Sequence, residues 1–249
     1  MYPLIEQLLP IGFFLIALLY ASVGHGGATG YLALLALAMP ALPPQEASTT
    51  ALILNSLVSG LALVQFARAG HFPVRLALPF LLASIPAAFV GGVLMVPVWL
   101  FHLLLLMGLA MAALRLALLR LEQGGAVRPP SFAAAMGIGG AIGLISGIVG
   151  IGGGIFLSPL LILLRWATPR DTAGVAASFV LLNSLAGLLA RVIKGTLVIG
   201  SLQMPMLAAI AGGLLGAYLG AYRLMPTALN RALAMVLLIA CIKLALTLL

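Results

Sequence analysis

Ionised side chains are scarce in this sequence. It holds four Asp or Glu and 12 Lys or Arg in 249 residues, 6% charged, against about 25% in a soluble domain. A surface facing water cannot be built from so few charges, so the solvent over most of the chain must be lipid. Three runs contain no Asp, Glu, Lys or Arg at all: 39 residues between Glu6 and Glu46, 39 between Arg75 and Arg115, and 36 between Arg128 and Arg165. One bilayer crossing needs about 20 apolar residues, so each run holds more than one span or a segment that folds back. Cysteine is nearly absent too. Cys241 is the only one, which excludes an intrachain disulfide and a cysteine-rich metal site. No cluster of His, Cys, Asp or Glu has metal-ligand spacing, and no nucleophile–base pair is evident. The expectation is therefore a protein with no metal and no cofactor that is not an enzyme. The few acids also argue against a cation carrier, which normally needs a carboxylate within the membrane. Glu46 and Asp171 sit instead in equivalent proline-rich turns, where they can cap the helix that follows. The start, Met1-Tyr2-Pro3, lacks the basic region of a cleaved signal peptide, so the first apolar segment reads as a retained part of the fold.

What the chain has in abundance is apolar side chains, 64% of all residues, with a mean hydropathy of +1.29. These runs are apolar all round, whereas barrel strands alternate apolar and polar residues over about 10 positions. Lipid also forces backbone groups to find partners within a segment. The fold class is therefore all-α integral membrane, with about 8–10 hydrophobic helical segments. They are placed at 3–21, 28–39, 46–67, 74–95, 98–120, 131–149, 154–165, 171–190, 198–221 and 228–248. The formal net charge is +8, but the basic residues sit singly between apolar spans, as the positive-inside rule distributes them. Lipid, and not nucleic acid, is the expected partner.

The chain reads as two copies of one unit. Gly24-His25-Gly26-Gly27-Ala28 aligns with Gly150-Ile151-Gly152-Gly153-Gly154 at an offset of 126, and Pro43 with Pro169 at the same offset. Asn55-Ser56-Leu57 aligns with Asn183-Ser184-Leu185 at 128. Arg68 and Gly70 find counterparts in Lys194 and Gly195. The landmarks occur in the same order in both halves. The first repeat spans 1–122, a polar Gly/Pro-rich loop spans 123–130 and the second repeat spans 131–249. Segments 28–39 and 154–165 are too short to cross a core of about 30 Å at about 1.5 Å per residue. Each follows a glycine-rich break, giving either one broken helix or a hairpin that enters and leaves on one side. The hairpin arrangement puts nine basic residues inside and three outside, against eight and four for single crossings. It also gives each repeat an odd number of crossings, which makes the repeats inverted, a recurring plan among secondary transporters.

The breaks are the candidate site. Glycine lets the backbone leave helical geometry and approach a ligand, and a helix restarting after the break presents free N–H groups and a positive dipole end. Two such ends facing one cavity would hold a small anion without a formal positive charge. Candidate substrate-binding residues are Ser22, Gly24, His25, Gly26, Gly27 and Thr29 in the first break, Gly150, Gly152, Gly153 and Gly154 in the second, and the paired Asn55, Ser56, Asn183 and Ser184. Ser146 and Ser158 could add hydroxyl donors; Thr49, Thr50 and Ser178 are weaker candidates. Packing is the competing role for the glycines, and interhelical hydrogen bonding for the Asn-Ser pairs. Gly212-Gly213 and Gly216 with Gly220 read as packing residues. His25 could bind the anion when protonated or couple transport to pH. His71 and His102 look interfacial. The glycines are no dinucleotide or phosphate loop, since neither a preceding strand nor a following Lys-Ser/Thr is present.

On these breaks, the Asn-Ser pairs and the duplicated layout, essentially the whole chain resembles the sulfite exporter TauE/SafE family of membrane transporters. The resemblance implies a carrier of sulfite, organosulfonates or related small anions, possible proton coupling, and a multi-pass protein of a bacterial inner membrane. The first repeat departs from the fuller glycine pattern at His25 and Ala28, where substrate preference could differ. A membrane assembly or docking factor without transport is the alternative, and it would need more extramembrane surface than these short loops offer.

Overall fold

The computed structural model describes residues 3–39, 41–94, 126–197, 203–224 and 231. The expected helix 98–120 and, apart from Arg231, the expected helix 228–248 lie outside the described residues, as do His102, Arg115, Arg120, Glu122, residues 123–125 of the loop, Cys241 and Lys243. Eight α-helices are described: α1 (Pro3–Ala21), α2 (Ala28–Ala38), α3 (Pro44–Arg68), α4 (Val74–Val93), α5 (Phe132–Val149), α6 (Gly154–Leu163), α7 (Pro169–Ile193) and α8 (Gln203–Tyr218), the last followed by a π-helical turn, Leu219–Arg223. No strand occurs among the described residues. Five helices are long and apolar enough to cross a membrane: Glu46–Arg68, Val74–Val93, Phe132–Val149, Pro169–Ile193 and Met204–Arg223. Their outer faces carry large exposed apolar side chains, among them Leu82, Phe132, Leu189, Ile193 and Leu207. In water such a surface would aggregate; in a bilayer it meets acyl chains.

Helix ends follow local chemistry. α3 and α7 begin two residues earlier than expected, because Pro44 and Pro169 occupy the first turn, where a missing N–H costs nothing. At α7, Thr168 accepts a hydrogen bond from the Asp171 amide at 3.2 Å, an N-cap, and donates its hydroxyl to the Asp171 carboxylate at 2.7 Å. Glu46 lies in the first turn of α3 and favours the positive dipole end there. Both long helices stop the same way. Gly70 (φ +81°) and Gly195 (φ +65°) turn left-handed, and the next amides bond back, His71 N–H to the Phe66 carbonyl at 2.8 Å and Thr196 N–H to that of Arg191 at 2.9 Å. These are Schellman caps, which explains the matching basic-glycine turns.

The two short helices double back. Gly12 of α1 faces Leu34 of α2, Gly30 of α2 faces Ile16 of α1, and the Phe13 ring stacks on Tyr31 at 5.1 Å. In the other half the Arg128 amide donates to the Arg165 carbonyl at 2.9 Å, joining the chain just before α5 to the chain just after α6. Both pairs are therefore hairpins. The long helices α3 and α7 run antiparallel, with Gly60 beside Leu181, Asn55 beside Ser184 and Leu52 beside Gly187. Around them the packing is reciprocal. α4 lies on α5 and on α7, while α8 lies on α1 and on α3. Thus the last described helix of each half packs against the first helix of the other.

Glycine makes these seams. Gly139, Gly143 and Gly147 of α5 lie against the backbone at Phe80, Ser84 and Ala88 of α4; Gly212, Gly216 and Gly220 lie against Phe14, Leu18 and Ser22. Residue numbers rise together on both sides, so each seam is a parallel pair with small residues every fourth position. The packing role expected for Gly212, Gly216 and Gly220 is what they perform. A Cβ at Gly143 would stand 2.6 Å from the Ser84 Cα, a distance only backbone movement can relieve. Gly147→Val, facing the Ala88 backbone in the same seam, should cost about 1–3 kcal/mol through overpacking. Gly137→Ala, on the same helix with no atom within 4 Å of the added Cβ, should not destabilise. Unfolding in detergent micelles measures both; equal stability of the two variants would refute the seam.

Candidate functional site

The two breaks meet in the interior. In the first, α1 ends at Ala21 and the chain turns through Gly24 (φ +78°) and Gly27 (φ +94°) before α2 begins. In the second, Gly150, Gly152 and Gly153 have φ of +73°, +76° and +76°, a concentration that only glycine tolerates. Every residue from Ser22 to Thr29 and from Gly150 to Gly154 is buried. Close approach is as important as dihedral freedom. The Gly26 Cα faces the Asn55 backbone, and a Cβ on Gly154 would stand 2.9 Å from the His25 ring.

Asn55 ties the breaks together. Its Oδ1 accepts from the Ala28 amide, the first N–H of α2, at 3.2 Å. Its Nδ2 donates to the Ser184 hydroxyl at 2.7 Å and to the Ile151 carbonyl of the second break at 3.4 Å. One amide thus contacts α2, α7 and the second break. His25 makes the other bridge. Its Nδ1 lies 3.0 Å from the Val23 carbonyl, which can only accept, so Nδ1 carries the proton and Nε2 accepts from the Ser158 hydroxyl of α6 at 3.3 Å. Tyr20 and Thr29 bond to each other at 2.9 Å.

The remaining candidates divide. Ser22, just past the end of α1, donates to the Leu19 carbonyl, and Ser56 to the Leu52 carbonyl one turn back in α3. Ser178 likewise donates to Val175. Asn183 is 2% exposed, yet among the described residues neither its Oδ1 nor its Nδ2 has a partner, and the Ser146 hydroxyl is equally buried and unpartnered. Tyr20, His25 to Thr29 and Asn55 on one side, with Ile151, Ile155 and Val180 on the other, line a cavity of about 10 Å³, about the room of one water. Among the described residues the site carries hydroxyls, amides and one imidazole, and no carboxylate.

Two features were missed in the sequence. Arg191, in the last turn of α7, donates to Thr49 at 2.9 Å and to Ser48 at 2.6 Å at the start of α3, beside Gly150. A lone basic residue at a helix end reads as a dipole partner, so nothing local flagged it. At the opposite end, His71 Nδ1 lies 3.2 Å from the Asp171 carboxylate, both side chains partly exposed. Chain order offers no hint of that pairing.

Among the described residues, five apolar spans and two interior helix breaks mark a multi-pass integral membrane protein. A family model described as Sulfite exporter TauE/SafE matches residues 8–244. A relative, "Probable membrane transporter protein y4hK" of Sinorhizobium fredii (strain NBRC 101917 / NGR234), is 35% identical over 240 residues, covering 95% of this chain and 96% of the relative. No solved structure matches the chain. The chain belongs to the sulfite exporter TauE/SafE family, and a bacterial inner membrane is consistent with its bacterial relative.

The two asparagines should behave differently although they occupy matching motifs. Asn55→Leu strips partners from the Ala28 amide and Ser184 and should cost about 1–3 kcal/mol. Asn183→Leu removes a buried amide that has no partner, and should be neutral or stabilising. Chemical unfolding of the purified variants decides; equal losses would mean that the Asn55 bonds carry no net stability.

Proposed function

We propose that the protein is a secondary transporter for a small anion, a sulfite, an organosulfonate or a related sulfur oxyanion, which it binds between the two glycine-rich breaks. The observation that carries this reading is the meeting of both breaks around Asn55. There the starts of α2 and α6 bring N–H groups and positive dipole ends to one interior locus. Family membership supports the transport class, and the family name supports the substrate class. Absence of a carboxylate among the buried polar side chains favours an anion over a cation.

The reading includes two inverted repeats, 1–122 and 131–249, joined by the loop 123–130. Its support is that the equivalent helices α3 and α7 run antiparallel, and that packing between the halves is reciprocal. Such repeats, rocking about a central site, provide alternating access. The cavity has room for about one water, so binding an oxyanion there requires the breaks to part. Coupling to protons through His25 belongs to the same proposal: Nε2 can change from acceptor to donor toward Ser158 without losing its neighbour.

Orientation follows from charge. Contacts gather six arginines at one end: Arg68 and Arg75 flank the turn whose His71 meets Asp171, Arg128 bonds Arg165, and Arg170 bonds the Leu224 carbonyl beside Arg223. Arg191 and Lys194 lie at the other. By the positive-inside rule the arginine-rich end faces the cytoplasm. A fluorescent-protein or alkaline-phosphatase reporter inserted at Gly70 should report cytoplasm, and one at Gly195 the opposite side; reversed signals would overturn the orientation.

The transport claim is tested by uptake and efflux of sulfite, sulfate, thiosulfate and small organosulfonates in proteoliposomes, with and without a pH gradient. Saturable flux of one sulfur oxyanion is expected. Gly26→Val and Gly153→Val should abolish it while the protein still inserts and stays monodisperse, since one packs on Asn55 and the other needs φ +76°. Unchanged flux in both variants would remove the breaks from the transport site.

A further inference from the structure

We propose that the Asn183 amide and the Ser146 hydroxyl, at the second break, are side-chain donors to the substrate anion. The inference rests on the carrier reading above and assigns the recognition step to particular atoms.

The argument starts from equivalence. At offsets of 126–128, Tyr20, Ala28 and Asn55 correspond to Ser146, Gly154 and Asn183. In the first half these polar groups are already engaged. Tyr20 bonds Thr29, and Asn55 bonds the Ala28 amide, Ser184 and the Ile151 carbonyl. In the second half the counterpart of Thr29 is Ile155, which offers Ser146 no hydroxyl. The Ser184 hydroxyl, neighbour of Asn183, is taken by Asn55, and Ser56 has turned to Leu52. Asn183 and Ser146 are left as buried groups with open hydrogen-bonding capacity. A native fold rarely leaves such groups unmatched, so two at one place call for a ligand.

They do share one place. Ser146 precedes the break, and a Cβ at Gly153 would stand 3.1 Å from its Oγ. Asn183 lies one turn beyond Phe179 and Val180, which face Gly153 and Gly152. Gly187, one turn further, and Gly147, beside Ser146, both lie within 4 Å of a Cβ at Gly92, which draws α5 and α7 together at this level. The locus is the N-terminal end of α6, whose first N–H groups have no intrahelical partner. Amide N–H, hydroxyl and backbone N–H are all donors, and they point to a compact oxyanion such as the SO₃ group of sulfite or a sulfonate.

Transport kinetics in proteoliposomes with sulfite and methanesulfonate test this. Asn183→Leu and Ser146→Ala should each raise KM about tenfold or more, the scale of a hydrogen bond to a charged group, with smaller changes in maximal rate and no loss of fold. Ser146→Thr, which keeps the hydroxyl, should restore the wild-type KM. Unchanged KM in both Asn183→Leu and Ser146→Ala beside a normal wild-type flux overturns the inference alone. Sodium dependence lost in Asn183→Leu with the anion KM unchanged also overturns it, and gives the locus to a coupling cation. Absence of any wild-type flux overturns the carrier reading and this inference with it.

Discussion

A helix interrupted inside a membrane leaves N–H and C=O groups with no water to satisfy them. The fold depends on how that debt is met at two places. At the first break a single side chain does most of the work. Asn55 accepts the first amide of α2 and donates to the carbonyl of Ile151 in the other break. Because Asn55 sits near the middle of α3 and its remaining proton goes to Ser184 of α7, the two longest helices are held at the level where both breaks open. Remove the amide, and the break, the α3–α7 contact and the cavity lose their common anchor.

Glycine plays two distinct roles around that anchor. In the seams Gly139, Gly143 and Gly147, like Gly212, Gly216 and Gly220, are helical and matter only because they lack a Cβ. They let parallel helices pack backbone to backbone, where dispersion replaces the hydrophobic drive that lipid does not supply. In the breaks Gly24, Gly27, Gly150, Gly152 and Gly153 are needed for their left-handed dihedrals. The seams join α1 with α8 and α4 with α5, each pairing one helix from either half of the chain.

Much of this was readable from the sequence. Scarcity of charge dictated an all-helical membrane fold, and the spacing of glycine, proline and Asn-Ser placed eight described helices within about five residues of their observed ends. The short helix after each break doubles back on the helix before it, the arrangement preferred because it gives each repeat an odd number of crossings, since loop charge alone was too even to decide. What stayed hidden depends on three-dimensional pairing. Asn55-Ser56 and Asn183-Ser184 are identical dipeptides, and nothing local shows that one amide is saturated and the other left open. The difference arises because Asn55 reaches across and takes Ser184. The Arg191 fork onto Ser48 and Thr49, and the His71–Asp171 pair, join residues more than 99 positions apart, beyond what periodicity can report. The α3 and α7 starts were misplaced because a proline-rich turn reads as a helix stop, although proline is compatible with the first turn of a helix.

Those two distant pairings bear on how a closed cavity can open. α3 and α7 are joined at one end by His71 and Asp171, at the other by Arg191 with Ser48 and Thr49, and between them by Asn55 and Ser184. A cavity with room for one water cannot admit an oxyanion until one end separates. The His71–Asp171 contact is partly exposed, and pairs of that kind contribute only about 0–1 kcal/mol, so parting there is inexpensive. At the other end Arg191 donates to the Ser48 and Thr49 hydroxyls and lies beside Gly150.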